Sequence, residues 1–354
     1  MIHYISLMLQ ESCTALNMVH YISFRAPAAL LTVLFLSLIG GGYFITASQK
    51  FFRSKTRDYT PDTHKLKGEM PTMGGIFILG VIIITALLWC DITDLHIWIM
   101  LFCLVSFGAI GFWDDWLKIK TKRGISEKFK FRAQILCATI TILLWFWLCE
   151  PSTKLCIPFL KTCTPDIGYL LIPWAIFIII ATSNAVNLTD GLDGLALGSL
   201  IPNFATFSIM SYLTGHIIFA QYLHLPFTGT AELSILGVIL VGASLGFLWF
   251  NAYPAQIFIG DVGSLSLGAS LGLMAVMTRQ EFLLIISGGL FIVETVSVLL
   301  QVFSYRYFKR RIFKMAPIHH HFELLGWPEA KITVRFGIIS LILCLMALIT
   351  LKIR

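Results

Sequence analysis

Carboxylates and amides recur where long apolar runs of the chain end. FWDDWLK at 112–118 sets Asp114 beside Asp115, and NAVNLTDGLDG at 184–194 places Asn184, Asn187, Asp190 and Asp193 at every third residue. FIGDVGS carries Asp261 among small neighbours, and MAPIHHHFE carries His319, His320 and His321 after Pro317. A charge in a bilayer core costs at least about 2.5–3.5 kcal/mol, so groups kept this close to apolar runs point to use. Adjacent carboxylates repel unless a cation lies beside them. Mg²⁺, held by one or two carboxylates and by substrate phosphate oxygens, is such a cation. On a helix the three-residue spacing gives one slowly drifting polar stripe, while Gly191 and Gly194 loosen the backbone and admit a ligand. Asp261, between Gly260 and Val262-Gly263-Ser264, can meet a metal without crowding.

Each group also has a plainer reading. Asp114 and Asp115 can end a helix or pair with Lys118, three to four residues on. The 184–194 stripe can be a polar helix end followed by a turn, and Asp261 can cap the next helix. Three consecutive histidines cannot all aim at one ion from a regular helix or strand, so zinc is disfavoured. Imidazoles contacting phosphate or ribose are expected instead. Glu294, inside FIVETVSVLLQV, needs a polar pocket or a helix partner and can mark a bend.

The elements that must position these groups are membrane helices. The 354 residues are 57% hydrophobic and 13% charged, and the mean hydropathy of +0.83 lies outside the usual range of soluble domains. The expected class is an all-α integral membrane protein with one domain over residues 1–354. About ten transmembrane helices are placed at Ala26–Ala47, Gly74–Cys90, His96–Trp113, Phe131–Leu148, Gly168–Ala185, Leu195–Leu213, Leu233–Phe250, Leu265–Met277, Phe282–Phe303 and Thr333–Leu351. The eighth is short for a span, and the ninth runs on into RYFKRRIFK, so either can be bent or broken. The N-terminal stretch lacks the pattern of a signal peptide.

Basic residues set the orientation, because basic loops stay cytoplasmic. All 26 fall after spans one, three and nine except Arg25, Lys154, Lys161, Arg279, Lys352 and Arg354. Both termini are therefore expected to be periplasmic. The parity of ten spans then puts every polar cluster at the cytoplasmic face, and there an active-site cleft is expected. A transporter would set its ionisable groups near mid-membrane, so an ion-coupled carrier is the weaker alternative. The Asn187-Leu188-Thr189 sequon is, on this placement, not used, and a disulfide between Cys156 and Cys163 is conceivable but not favoured.

MPTMGG at 70–75, FWDDWLK, NAVNLTDGLDG, FLWFNAYPAQIFIGDVGSLSLG at 247–268 and MAPIHHHFELLGWPE at 315–329 together resemble the phospho-N-acetylmuramoyl-pentapeptide transferases. These belong to the polyprenyl-phosphate N-acetylhexosamine-1-phosphate transferase superfamily. The resemblance covers nearly the whole chain, and HHHFE favours the peptidoglycan branch over sister transferases that use another UDP-N-acetylhexosamine. One departure is GEMPTMGG at 68–75, where the family commonly reads GTPTMGG. The resemblance implies transfer of phospho-MurNAc-pentapeptide from its UDP derivative to undecaprenyl phosphate, giving lipid I and UMP, in the bacterial inner membrane with Mg²⁺ as cofactor. It implies Asp261 as principal metal ligand, with Asp114 and Asp115 supporting the metal or positioning phosphate, one of them acting as base. Lys67, Asn187, Asp193 and Phe258 would bind the uridine end. Thr72, Lys118, Lys130, Asn184, Asp190, Asn251, Gln301 and the three histidines, His320 foremost, would complete the polar cavity. The expected partners are the UDP-linked donor, the polyprenyl acceptor and membrane lipid, with a homodimer open and no nucleic acid.

Overall fold

The computed structural model describes residues 1, 2, 4, 6, 14–51, 70–121, 123–159 and 164–352. Ten long helices carry the architecture: α1 (Ile22–Phe51), α2 (Gly74–Trp89), α3 (Leu95–Thr121), α4 (Glu127–Cys149), α5 (Leu171–Thr189), α6 (Leu195–Gly215), α7 (Leu233–Asn251), α8 (Gly260–Met277), α9 (Gly289–Phe308) and α10 (Glu329–Ile349). Short helices at Ile217–Tyr222, Glu281–Ser287 and Ile318–Glu323 join them. The described residues form no β-strand, and Lys154 and Asp166 make an isolated antiparallel bridge.

Nine of the ten are long and apolar enough to cross a membrane among the described residues. The exception, α2, has 16 residues, a length of about 24 Å at 1.5 Å per residue. It nevertheless connects both ends of the bundle. Its first amides, from Gly74 and Gly75, donate to Phe258 and Ile259 carbonyls at 2.9 and 2.8 Å. At its other end the Trp89 carbonyl accepts from Arg25, which also donates to Glu232 at 2.9 Å.

Helix α8 is the axis of the molecule: every residue from Val262 to Met277 is buried. It packs against α5, α3, α2 and α6. Small residues let the backbones approach, as in other membrane helix pairs. A Cβ on Gly75 would lie 2.2 Å from the Gly263 amide nitrogen, and one on Gly268 would lie 2.8 Å from Ser183 Cα. The eighth expected span thus starts five residues earlier, at Gly260, and Asp261 belongs to its first turn. The ninth expected span is interrupted at Gly288, between Glu281–Ser287 and α9.

Candidate functional site: a carboxylate and lysine cluster at one end of the bundle

Successive long helices alternate in direction, so the ends of α3, α5 and α7 meet the starts of α4, α8 and α10. Helix α3 runs eight residues past its expected end at Trp113, and this extension carries Asp114, Asp115 and Lys118 on one face. The Lys118 ammonium touches Asp114 at 2.9 Å, Asp115 at 3.2 Å and, across the bundle, Asp261 at 2.8 Å. Lys130, in the first turn of α4, contacts Asp114 at 3.1 Å and Asp261 at 2.6 Å. Asn187, in the last turn of α5, donates to Asp261 Oδ1 at 2.9 Å and to Ser264 at 2.8 Å.

Three carboxylates thus face two ammonium groups, and one negative charge stays uncompensated. Ligand oxygens of Asp114, Asp115 and Asp261 lie within 4.8 Å of one another. Hard oxygen donors at this spacing fit a hard divalent cation such as Mg²⁺. Asp115 Oδ2 accepts the Asp261 amide at 2.8 Å, so α3 satisfies one of the open N–H groups at the start of α8. Asp114 Oδ1 accepts the Ile125 amide at 2.7 Å. Asp261 makes no cap bond of its own, the cap position being Ile259. Its side chain is given over to Lys118, Lys130 and Asn187.

Beside the cluster, residues 190–194 form a loop. Asp190 follows the last residue of α5, and burial pushes its carboxyl well above the usual range, with Asp261, Asp115 and Asp193 adding to the shift. Asp193 is buried and accepts the Ala255 amide at 3.1 Å. Its own amide donates to Glu329 at 2.9 Å, and its carbonyl accepts from Thr333 at 3.1 Å. Asn251 accepts the Gly194 amide at 3.1 Å and donates to the Ile257 carbonyl at 2.9 Å. Asn184 pairs with Gln134 of α4. Phe258 is half-buried, its backbone bonded to Pro71 and Gly74, and Thr72 is half-buried nearby in sequence. Lys67 and Cys163 lie outside the described residues.

The histidines divide. His319 is fully buried against Glu294, and burial draws its imidazole below the usual value despite that carboxylate. His320 is half-buried and contacts Glu323 at 3.0 Å, while His321 accepts the Lys314 amide at 3.1 Å. Gln301 ties down the loop after α9 through Ile312 and Phe313. Among site residues that sequence reasoning missed, Gln134 and Glu329 each had a signal. Gln134 is a polar residue within an apolar run, and Glu329 follows Pro328 in a first helical turn.

Residues 97–279 match the model of glycosyl transferase family 4. Over its whole length the chain is also similar to a protein of Solidesulfovibrio magneticus. The two are 48% identical over 361 residues, with 100% of each chain covered, and that protein is named phospho-N-acetylmuramoyl-pentapeptide-transferase.

Proposed function

The chain belongs to the phospho-N-acetylmuramoyl-pentapeptide transferases of glycosyl transferase family 4, and on that premise we propose the reaction and the residues that perform it. The donor is UDP-MurNAc-pentapeptide and the acceptor undecaprenyl phosphate. An oxygen of the lipid phosphate attacks the phosphorus that bears the sugar. The bond from that phosphorus to the bridging oxygen breaks, UMP leaves, and lipid I is formed.

The observation that carries this reading is the meeting of three carboxylates and two ammonium groups at one end of a membrane bundle. Phosphoryl transfer asks little covalent chemistry of a protein. It requires neutralised phosphate charge and a positioned nucleophile. Asp261, Asp114 and Asp115 would hold Mg²⁺, which when bound supplies charge neutralisation at the diphosphate. Lys118 and Lys130 are placed to meet phosphate oxygens as well. Asp114 and Asp115 each keep one oxygen turned to Lys118, and either can take the proton of a singly ionised lipid phosphate. Asn187 and the 190–194 loop receive the uridine end, with Phe258 against uracil and His320 and His321 at the rim. The cleft faces the cytoplasm of a bacterial inner membrane, where a soluble nucleotide sugar can meet a lipid.

The test is transfer from radiolabelled UDP-MurNAc-pentapeptide to polyprenyl phosphate by purified protein, with UMP release lost on chelation of Mg²⁺ and restored by its return. Equal transfer from UDP-N-acetylglucosamine would move the chain's substrate to that of a sister enzyme. Absence of transfer from either donor would overturn the reading.

A further inference from the structure

Glu294 lies on α9 with no exposed surface. A buried carboxylate is costly unless something polar meets it. One of its oxygens, Oε2, meets His319 Nδ1 at 3.1 Å. The neutral ring donates from Nδ1 to the carboxylate, an assignment made from the chemistry of the pair. The other ring nitrogen, Nε2, is buried without a hydrogen-bond partner and is turned toward Gly191. A Cβ placed on Gly191 would lie 2.2 Å from Nε2 and 2.9 Å from Cε1. The imidazole edge therefore rests on the backbone of the loop between Asp190 and Asp193, and only a glycine leaves room for it.

The same loop is held differently elsewhere. Glu329 and Thr333 of α10 bond to Asp193, and Asn251 of α7 bonds to Gly194. On the α9 side the contact to Gly191 is steric. Asn187, one helical turn before Gly191, bonds to Asp261, so a change in the height of this loop is passed toward the carboxylate cluster.

We propose that Glu294 and His319 are positioning residues for the donor site: Glu294 clamps the ring through Nδ1, and the ring's opposite edge sets the loop against which the nucleotide binds. His319 then acts without touching the nucleotide, unlike the role its place in the histidine triplet suggested. The proposal rests on the reading of the 190–194 loop as the seat of the donor's uridine end.

The experiment is a steric double-mutant cycle in full-length detergent-purified protein, read as donor KM and kcat from UMP release and as the affinity for UDP with Mg²⁺. Gly191→Ala drives a methyl into the ring and should raise donor KM and UDP Kd by about tenfold or more, with kcat changed less. His319→Ala in that background opens the space and should restore both to within about threefold of the His319→Ala single variant. Direct nucleotide binding by His319 predicts the reverse, a double variant as weak as the product of the singles, and that result would overturn the proposal. Glu294 gives a second arm that does not depend on Gly191→Ala folding. Glu294→Gln keeps an acceptor for Nδ1–H and should retain donor KM, whereas Glu294→Ala should raise it as His319→Ala does. Equal damage from Gln and Ala would also overturn the proposal. Failure of the wild-type protein to use UDP-MurNAc-pentapeptide sinks the functional reading instead, while the UDP isotherms still report on the clamp.

Discussion

Asp261 is the residue on which the site turns, since α3, α4 and α5 all send a polar group to its carboxylate. Asp261→Asn keeps the shape and removes the charge, so transition-state stabilisation should fall by several kcal/mol. A loss of about 4 kcal/mol is roughly a thousandfold in rate. Mg²⁺-dependent UMP release should drop on that scale while the melting temperature holds, because Asp115, not Asp261, accepts the amide at the start of α8. Near-normal turnover by the Asn variant would remove Asp261 from the metal site. Asp190 leads to a pH prediction. Its carboxyl is raised in the folded protein, so the native state holds a proton that the unfolded chain has released above about pH 4. Stability is therefore lost as pH rises through that window. Asp190→Asn removes the penalty, and its melting temperature in metal-free buffer should exceed the wild type's by more at pH 8 than at pH 5. At this scale the sequence displayed the acids but not their commitments. The spacing of Asp114, Asp115 and Lys118 foretold their shared face. Nothing in the spacing of Asp193, Asn251 or Gln301 showed that their polar atoms would be bonded to backbone: Asp193 and Asn251 accept amides from Ala255 and Gly194, far along the chain, and Gln301 bonds to Ile312 and Phe313 across the turn after α9.

Helix α8 explains both what could be read at the level of elements and what could not. Its serines and glycines depress its hydropathy, so its apolar run seemed to begin at Leu265, although the helix starts at Gly260 and is sheathed by neighbours throughout. A helix surrounded by protein need not be uniformly apolar, and its small residues serve close approach. The ninth run, expected to bend or break, breaks at Gly288, within Ser287-Gly288-Gly289. Two glycines of α2 turn this into a paired test. Gly75 faces the Gly263 backbone, and a Cβ there would lie 2.2 Å from its amide nitrogen, whereas a Cβ on Gly80 meets nothing within 4 Å. Gly75→Ala should force α2 and α8 apart and destabilise by about 1–3 kcal/mol, as overpacking does. Gly80→Ala should instead gain up to about 1 kcal/mol from helix propensity. Thermal melting of both variants in one detergent decides. A neutral Gly75→Ala would mean that the two helices are not in backbone contact.

At the scale of the whole molecule, the question is which end of the bundle faces the cytoplasm. The carboxylate cluster and the basic segment at 118–132 share an end, since Lys118 and Lys130 belong to both. Two of the basic residues assigned to the opposite end, Arg25 and Arg279, are 3% and 2% exposed, and they lie beside Glu232 and Glu281. They are part of the packed bundle, and the 20 to 6 split of the basic residues remains the ground for the orientation. The short α2 is the weak point of the parity argument, yet it reaches from the Phe258 and Ile259 carbonyls at the site to Arg25 at the far end. Counted as a crossing, it makes ten, and ten would return the C-terminus to the side on which α1 begins. Reporters fused at Lys65, Lys122 and Lys314 should all register as cytoplasmic, and one fused after Arg354 as external. A cytoplasmic signal after Arg354 would mean that one of the ten helices does not cross, and α2, at about 24 Å against a hydrocarbon layer of about 30 Å, would be the first to test.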